Sequence, residues 1–211
     1  MDDEWGDDGD DHWEDSVALR LACLALDRGR LTDDLVTALA VRGALLVDLA
    51  LRERVAETED AVEFDPRPSG FPPADRLLAV DIPSLTDLLR RGAVDQEDLA
   101  AEHLRRGSWT ATRRWFLLRY VDHRPDRTRA DEQALAAPAD REWTPADAAV
   151  AAIGSALGLL ATPRALPDEE VLAATGPVRW LVELVVAEVD RAIARGQALR
   201  GGVSFADGTP G

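Results

Sequence analysis

From Asp34 to Arg52 the apolar positions recur with the period of a helix. Stepping ~100° per residue puts Leu35, Val36, Leu39, Gly43, Leu46, Val47 and Ala50 on one broad face, opposite Asp34, Thr37, Asp48 and Arg52. A stripe this wide predicts a helix packed on several sides, central to its domain. Gly43 falls inside the stripe. An interior glycine costs ~1 kcal/mol relative to alanine, so close approach by a neighbouring backbone is expected there. Arg42 borders the stripe, with its stem on apolar surface and its head within reach of a rim. A guanidinium so placed needs an anion. Either an internal carboxylate supplies it, with Glu53 nearby on the same side, or a bound phosphate does.

Helix-start signals organise the rest of the chain. Thr32 before Asp33 and Asp34, Ser84 with Asp87, Asp95 with Asp98, and Thr144 with Pro145 and Asp147 have the pattern of N-caps and capping boxes. With Thr175-Gly176-Pro177 as a break, they predict helices near residues 15–26, 33–52, 84–91, 95–106, 145–160, 168–174 and 177–195. Two stretches read as extended. Residues 54–70 hold two short alternating segments about a polar turn. Residues 108–125 carry aromatic and β-branched residues on both sides of Arg113-Arg114. The predicted fold is mainly α: a compact helical domain over residues 16–196 with two short β-hairpins. Residues 1–15, including Trp5 and Trp13, read as a flexible acidic tail, and residues 197–211 as a second flexible tail.

Charge narrows the function classes. The 211 residues include 40 acids against 24 basic residues, a net −16, and every basic residue is an arginine. A chain this acidic lacks the cationic face that nucleic acid requires, which also opposes a winged-helix DNA-binding reading of helix 95–106 and its following hairpin. A basic protein segment is the better electrostatic partner. Cys23, the single cysteine, lies in an apolar helical pattern, so it reads as core and excludes a disulfide or a cysteine metal site. His12, His103 and His123 share no ligand spacing and read as surface residues. No phosphate-binding loop, dinucleotide fingerprint or nucleophile elbow occurs. No enzyme, metal or cofactor is expected. The N-terminus lacks the basic and apolar regions of an export signal, and the longest nearly uncharged apolar run, Ala148–Thr162, is shorter than the ~20 residues of a spanning helix. A soluble, cytoplasmic protein is expected.

Four stretches, in order, resemble the Golgi phosphoprotein 3 family: LRLACLALDRGRL (19–31), the core helix ending RGALLVDLALRERV (42–55), the DPRPSG loop (65–70) and LAAEHLRRGSWTATRRWFLLRYVDHRP (99–125). The resemblance covers residues 16–196. It implies a largely α-helical fold with short hairpins and a non-enzymatic peripheral membrane adaptor. Eukaryotic members hold the phosphatidylinositol 4-phosphate headgroup and bind cytoplasmic tails of glycosyltransferases. The family's headgroup site uses a tryptophan and an arginine around the core helix and two arginines on a later helix. Arg42 matches the first arginine, whereas Asp33 stands at the tryptophan position, and Ala93 and Gln96 stand near the other two, with Arg90 and Arg91 adjacent. Arg42, Arg90 and Arg91 are therefore the implied headgroup residues, and an anionic phospholipid headgroup the implied partner. Trp115, Phe116, Leu117, Leu118 and Tyr120 fall on the family's projecting apolar hairpin, which serves in membrane insertion or self-association. Arg113, Arg114 and Arg119 flank them, an arrangement suited to rings at headgroup level. Two alternatives stay open. The rings pack in the core, or the chain is an acidic interaction module that forms a homo-oligomer through the 112–123 hairpin and recruits a basic partner with its head.

Overall fold

The computed structural model describes residues 13–32, 34–58, 62–79, 84–115, 117–136, 142–159 and 169–201. Among them the chain is mainly α, as expected. The helices are α1 (Val17–Leu24), α2 (Leu35–Leu51), α3 (Pro72–Leu78), α4 (Leu85–Arg91), α5 (Gln96–Arg105), α6 (Pro125–Ala136), α7 (Pro145–Leu157), α8 (Glu169–Ala174) and α9 (Arg179–Gly201), with one 3-10 turn at Gly176–Val178. Two antiparallel hairpins complete it: β1 (Val55–Glu57) with β2 (Val62–Phe64), and β3 (Trp109–Arg114) with β4 (Leu117–Asp122).

The wide apolar stripe has the predicted consequence. Every residue of α2 from Leu39 to Leu49 is buried, and the helix is packed by α1, α7 and α9. Gly43 marks the crossing with α9. A Cβ built there would lie 2.4 Å from Val185 Cγ1, so the close neighbour is a valine side chain rather than the expected backbone. The N-terminus of α1 is buried against α2, and its orphan N–H groups find acceptors there. Ser16 accepts from the Leu19 N–H at 3.2 Å, while the Asp48 carboxylate of α2 accepts from the Val17 and Ala18 N–H groups at 2.8 and 2.9 Å. Burial pushes the Asp48 pKa up to about 6, against the pull of Arg52 and these two N–H groups.

Trp13 corrects the tail boundary. Its ring is 2% exposed, stacked on Phe71 with centroids 4.3 Å apart, and the Arg52 guanidinium lies 4.0 Å above it. The indole N–H donates to the Ser69 carbonyl at 3.3 Å. A ring flanked by carboxylates in sequence is thus core, because Phe71 and Arg52 offer it an apolar face and a cation. At the other end α9 continues to Gly201, into the segment expected to be flexible.

The predicted caps at Ser84, Asp95 and Thr144 accept the expected N–H groups. Thr32 does not cap α2. Its hydroxyl donates to the Ala25 carbonyl, and Asp34 accepts from the Thr37 N–H instead. Two helices form where none was predicted. The short α3 opens on Pro72-Pro73. The α6 sequence, PDRTRADEQALA, is mostly polar and is tied to the body by charge: buried Arg20 donates to Asp131 at 3.0 and 2.5 Å and to Asp147 of α7 at 2.7 Å.

Candidate functional site

The β3–β4 hairpin is fastened at its foot and free beyond it. Trp109 is buried, stacked on His103 at 4.1 Å and tilted against Tyr120 at 5.6 Å. The Tyr120 N–H donates to the Gly29 carbonyl at 2.8 Å. Gly29 has φ +80, and a Cβ there would lie 2.7 Å from the Tyr120 carbonyl oxygen, so glycine is what lets the Asp27–Arg30 turn lie against the strand. Pairing runs from Trp109↔Asp122 to Arg114↔Leu117, and Trp115 stands in the turn that follows β3.

Towards that turn the side chains meet solvent. Trp115, at φ +60, is 82% exposed, and Leu117, Leu118 and Val121 are each about half exposed (49%, 47% and 48%). Strand alternation puts Leu117 and Val121 on one face and Leu118 on the other, so the tip is apolar on both sides. Arg113 pairs with Leu118 and Arg119 with Thr112. At ~3.4 Å per residue, Arg113 stands ~7 Å behind Trp115. Residues 109–121 contain three arginines and no carboxylate. Of the predicted contact set, Trp115, Leu117 and Leu118 are exposed at the tip. Tyr120 instead helps to hold the foot, and Phe116 lies outside the described residues. These exposures exclude core packing for Trp115, Leu117 and Leu118, while Tyr120 packs against the core.

The predicted headgroup arginines do not converge. Arg42 is 7% exposed; its Nε donates to the Val94 carbonyl at 2.8 Å and its Nη1 to the Leu89 carbonyl at 2.7 Å. Leu89 lies in the last turn of α4, where carbonyls lack helical partners, so Arg42 caps that helix from α2. Burial lowers the Arg42 pKa, with nearby Asp95 opposing. Gly92 makes room: a Cβ there would stand 3.0 Å from Arg42 Cδ. Glu53, the internal carboxylate anticipated for it, is instead an exposed residue at φ +57, and backbone carbonyls meet the guanidinium. Arg90 is bound in two places to fully buried Glu188 of α9, at 2.8 and 3.1 Å. Arg91 is exposed and 3.5 Å from Asp87. Nearby, Ala93 is exposed, and buried Gln96 accepts from the Thr32 N–H at 2.7 Å. Asp33 lies outside the described residues.

A cavity of about 30 Å³ lies between α1, α5, α6 and the hairpin foot, lined in part by Arg20, Cys23, His103, Ser108, Arg124 and Arg127. It has room for about one water. His103, expected on the surface, is 5% exposed. Its spacing from Leu99 places it on the buried stripe of α5, a signal the sequence did contain. Burial pushes its pKa down to about 4, although the Leu19 carbonyl favours the charged ring. The neutral ring therefore donates from Nε2 to Leu19 O (3.1 Å) and accepts at Nδ1 from the Ser108 hydroxyl (2.8 Å). Cys23 Sγ lies 3.7 Å from Nε2, and burial, foremost, raises its pKa to about 12. A protonated thiol facing a nitrogen whose proton is already engaged is no activated nucleophile. Among the described residues no group of three His, Cys, Asp or Glu could hold a metal ion.

At the hairpin foot, Arg124 binds Glu14 at 2.8 and 3.0 Å. Arg127 donates to the Glu14 carbonyl at 2.8 Å and pairs with Asp15. No family model matches this chain, and no curated protein is significantly similar to it. Among the described residues no helix is long and apolar enough to cross a membrane.

Proposed function

We propose that the chain is a non-enzymatic peripheral membrane adaptor of the Golgi phosphoprotein 3 kind, docking on anionic lipid by inserting the tip of the β3–β4 hairpin. The carrying observation is the tip itself: Trp115 is 82% exposed, with half-exposed Leu117 and Leu118 on opposite faces. A flat protein partner covers one face of a hairpin, whereas a bilayer interface surrounds its end. The ~7 Å between Trp115 and Arg113 matches the 5–10 Å to which interfacial segments sink, leaving the guanidiniums at the level of lipid phosphates. Arg113 and Arg119 take the headgroup role here in place of Arg42 and Arg90, which are engaged with internal acceptors, and of Arg91, which is exposed beside Asp87 on the same helix. Transfer of Trp115 out of water supports binding by ~2 kcal/mol. The net charge of −16 works against a negative surface, so docking is weak and reversible. The acidic body remains the surface for a basic protein segment.

Flotation with phosphatidylcholine vesicles, with and without phosphatidylglycerol, tests this reading. The chain is expected to float with the anionic vesicles only, and both Trp115→Ala/Leu118→Ala and Arg113→Gln/Arg119→Gln to stay behind. Concentration-dependent assembly through the hairpin without flotation would replace it with the homo-oligomer reading.

A further inference from the structure

We infer that the Asp27–Arg30 turn is a second cationic contact of the docking face, with Arg28 meeting anionic lipid headgroups beside the hairpin. This contact rests on the docking reading above and is tested by a different variant. Arg28 and Gly29 have φ of +50 and +80, and Asp27 and Arg30 exchange both backbone hydrogen bonds, at 3.0 and 2.9 Å. Two positive φ values between such a pair are those of a type I′ turn, whose preferred central residues are asparagine and then glycine. Gly29 meets that preference and Arg28 does not. A non-glycine residue in the left-handed region gives up conformational free energy. No burial of the side chain offsets this, because Arg28 is 93% exposed and its ion pair with Asp27, itself 78% exposed, is 4.0 Å long. What Arg28 supplies is a solvent-facing cation.

The position of the turn gives that cation a role. Tyr120 of β4 donates its N–H to the Gly29 carbonyl at 2.8 Å, so the turn lies directly against the hairpin. Tyr120 pairs with Ala111, four residues behind Trp115, which sets the turn ~14 Å from the tip at ~3.4 Å per residue. The level of Arg113 is ~7 Å behind the tip, so the turn stands ~7 Å beyond the lipid phosphates when Trp115 is inserted. A long arginine stem covers such a gap, and surface charge acts over ~8 Å at physiological ionic strength. Arg28 thus extends the exposed cations of the docking face from Arg113 and Arg119 to the neighbouring turn. On a chain of net charge −16 a cationic face is the exception, and each of its arginines weighs against the general repulsion.

The test is Arg28→Asn in the full chain, read by partition onto phosphatidylcholine vesicles containing phosphatidylglycerol. Asparagine suits the turn, so Tm should be no lower than in the wild type. Partition should nevertheless fall about fivefold at low salt, and the difference should vanish at high salt. Arg28→Lys should keep most of the binding. Arg195→Gln on α9 removes the same charge from another element and should have little effect; an equal loss there would assign the change to net charge and overturn the inference. Weaker partition with a lowered Tm would make Arg28 a structural residue and overturn it as well. Unchanged partition of Arg28→Asn, with binding still lost in Trp115→Ala/Leu118→Ala, overturns the inference and leaves hairpin docking standing. The converse, a loss in Arg28→Asn while the tip variant binds like the wild type, upholds the turn contact and overturns hairpin insertion. Absence of binding by the wild type overturns both.

Discussion

Replacing Arg42 with methionine keeps the apolar stem and removes the guanidinium. Two short hydrogen bonds go with it, to the Val94 and Leu89 carbonyls at 2.8 and 2.7 Å. Hydrogen bonds to charged groups contribute ~1.5–3 kcal/mol each, and buried carbonyls left without donors lose their solvation as well. Against this stands the desolvation that already lowers the Arg42 pKa, relieved in the variant. The balance is a loss of about 3 kcal/mol. For a domain of this size that lowers Tm by roughly 6–12 °C. Arg42→Lys should fall between, since one ammonium cannot match two carbonyls with a planar fork. Urea unfolding followed by circular dichroism measures the effect, and flotation of the folded variant gives the second reading. A variant as stable as wild type that no longer bound anionic vesicles would refute the internal-cap account and restore Arg42 as a headgroup residue.

Other consequences are equally open to measurement. Gly43→Ala drives a Cβ to 2.4 Å from Val185 Cγ1, and overpacking should destabilise by ~1–3 kcal/mol despite the better helix propensity, with Val185→Ala restoring part of the loss in a double-mutant cycle. Arg20→Met removes the cation that buried Asp131 shares with Asp147; a loss of ~3–5 kcal/mol and faster amide exchange in α6 are expected. Two buried groups give opposite pH slopes. Asp48, raised to about 6, contributes stability that is full below its ordinary 3.8 and lost as pH rises through 6. His103, lowered to about 4, contributes stability that is full above 6.5 and lost as pH falls through 4. Each amounts to about 3 kcal/mol at most, so they largely cancel between pH 4 and 6. In urea titrations at several pH values, Asp48→Asn should leave stability falling with acid, and His103→Gln should leave it falling with base; parallel slopes would contradict both assignments.

Local chemistry made much of this fold readable. The buried span of α2, the caps at Ser84, Asp95 and Thr144, and both hairpins follow from side-chain period and turn chemistry that neighbours in sequence determine. What escaped depends on partners distant in the chain. Trp13 reads as tail until Phe71 and Arg52 are known to enclose it, 58 and 39 residues away. Helix α6 has no apolar stripe to betray it and is held by Arg20, 111 residues earlier. Arg42 illustrates the same limit at the candidate site. Sequence places a guanidinium at a rim and demands an acceptor, but only the path of residues 89–94 reveals that two backbone carbonyls meet the demand. The hairpin tip was legible only in part. Local pattern placed Trp115, Leu117 and Leu118 on a hairpin but left core packing and exposure both open, because only the positions of the other described elements show that none of them covers these three side chains.

The depth of Trp115 in a bilayer tests the central claim most directly. Difference emission between wild type and Trp115→Phe isolates this ring from the other five tryptophans. Phosphatidylglycerol-containing vesicles with bromines at successive acyl positions would then report its depth. Hairpin insertion predicts a blue-shifted difference spectrum, quenched most by bromines nearest the headgroup. Emission that stays red-shifted and unquenched while the protein floats with the vesicles would place the membrane contact elsewhere.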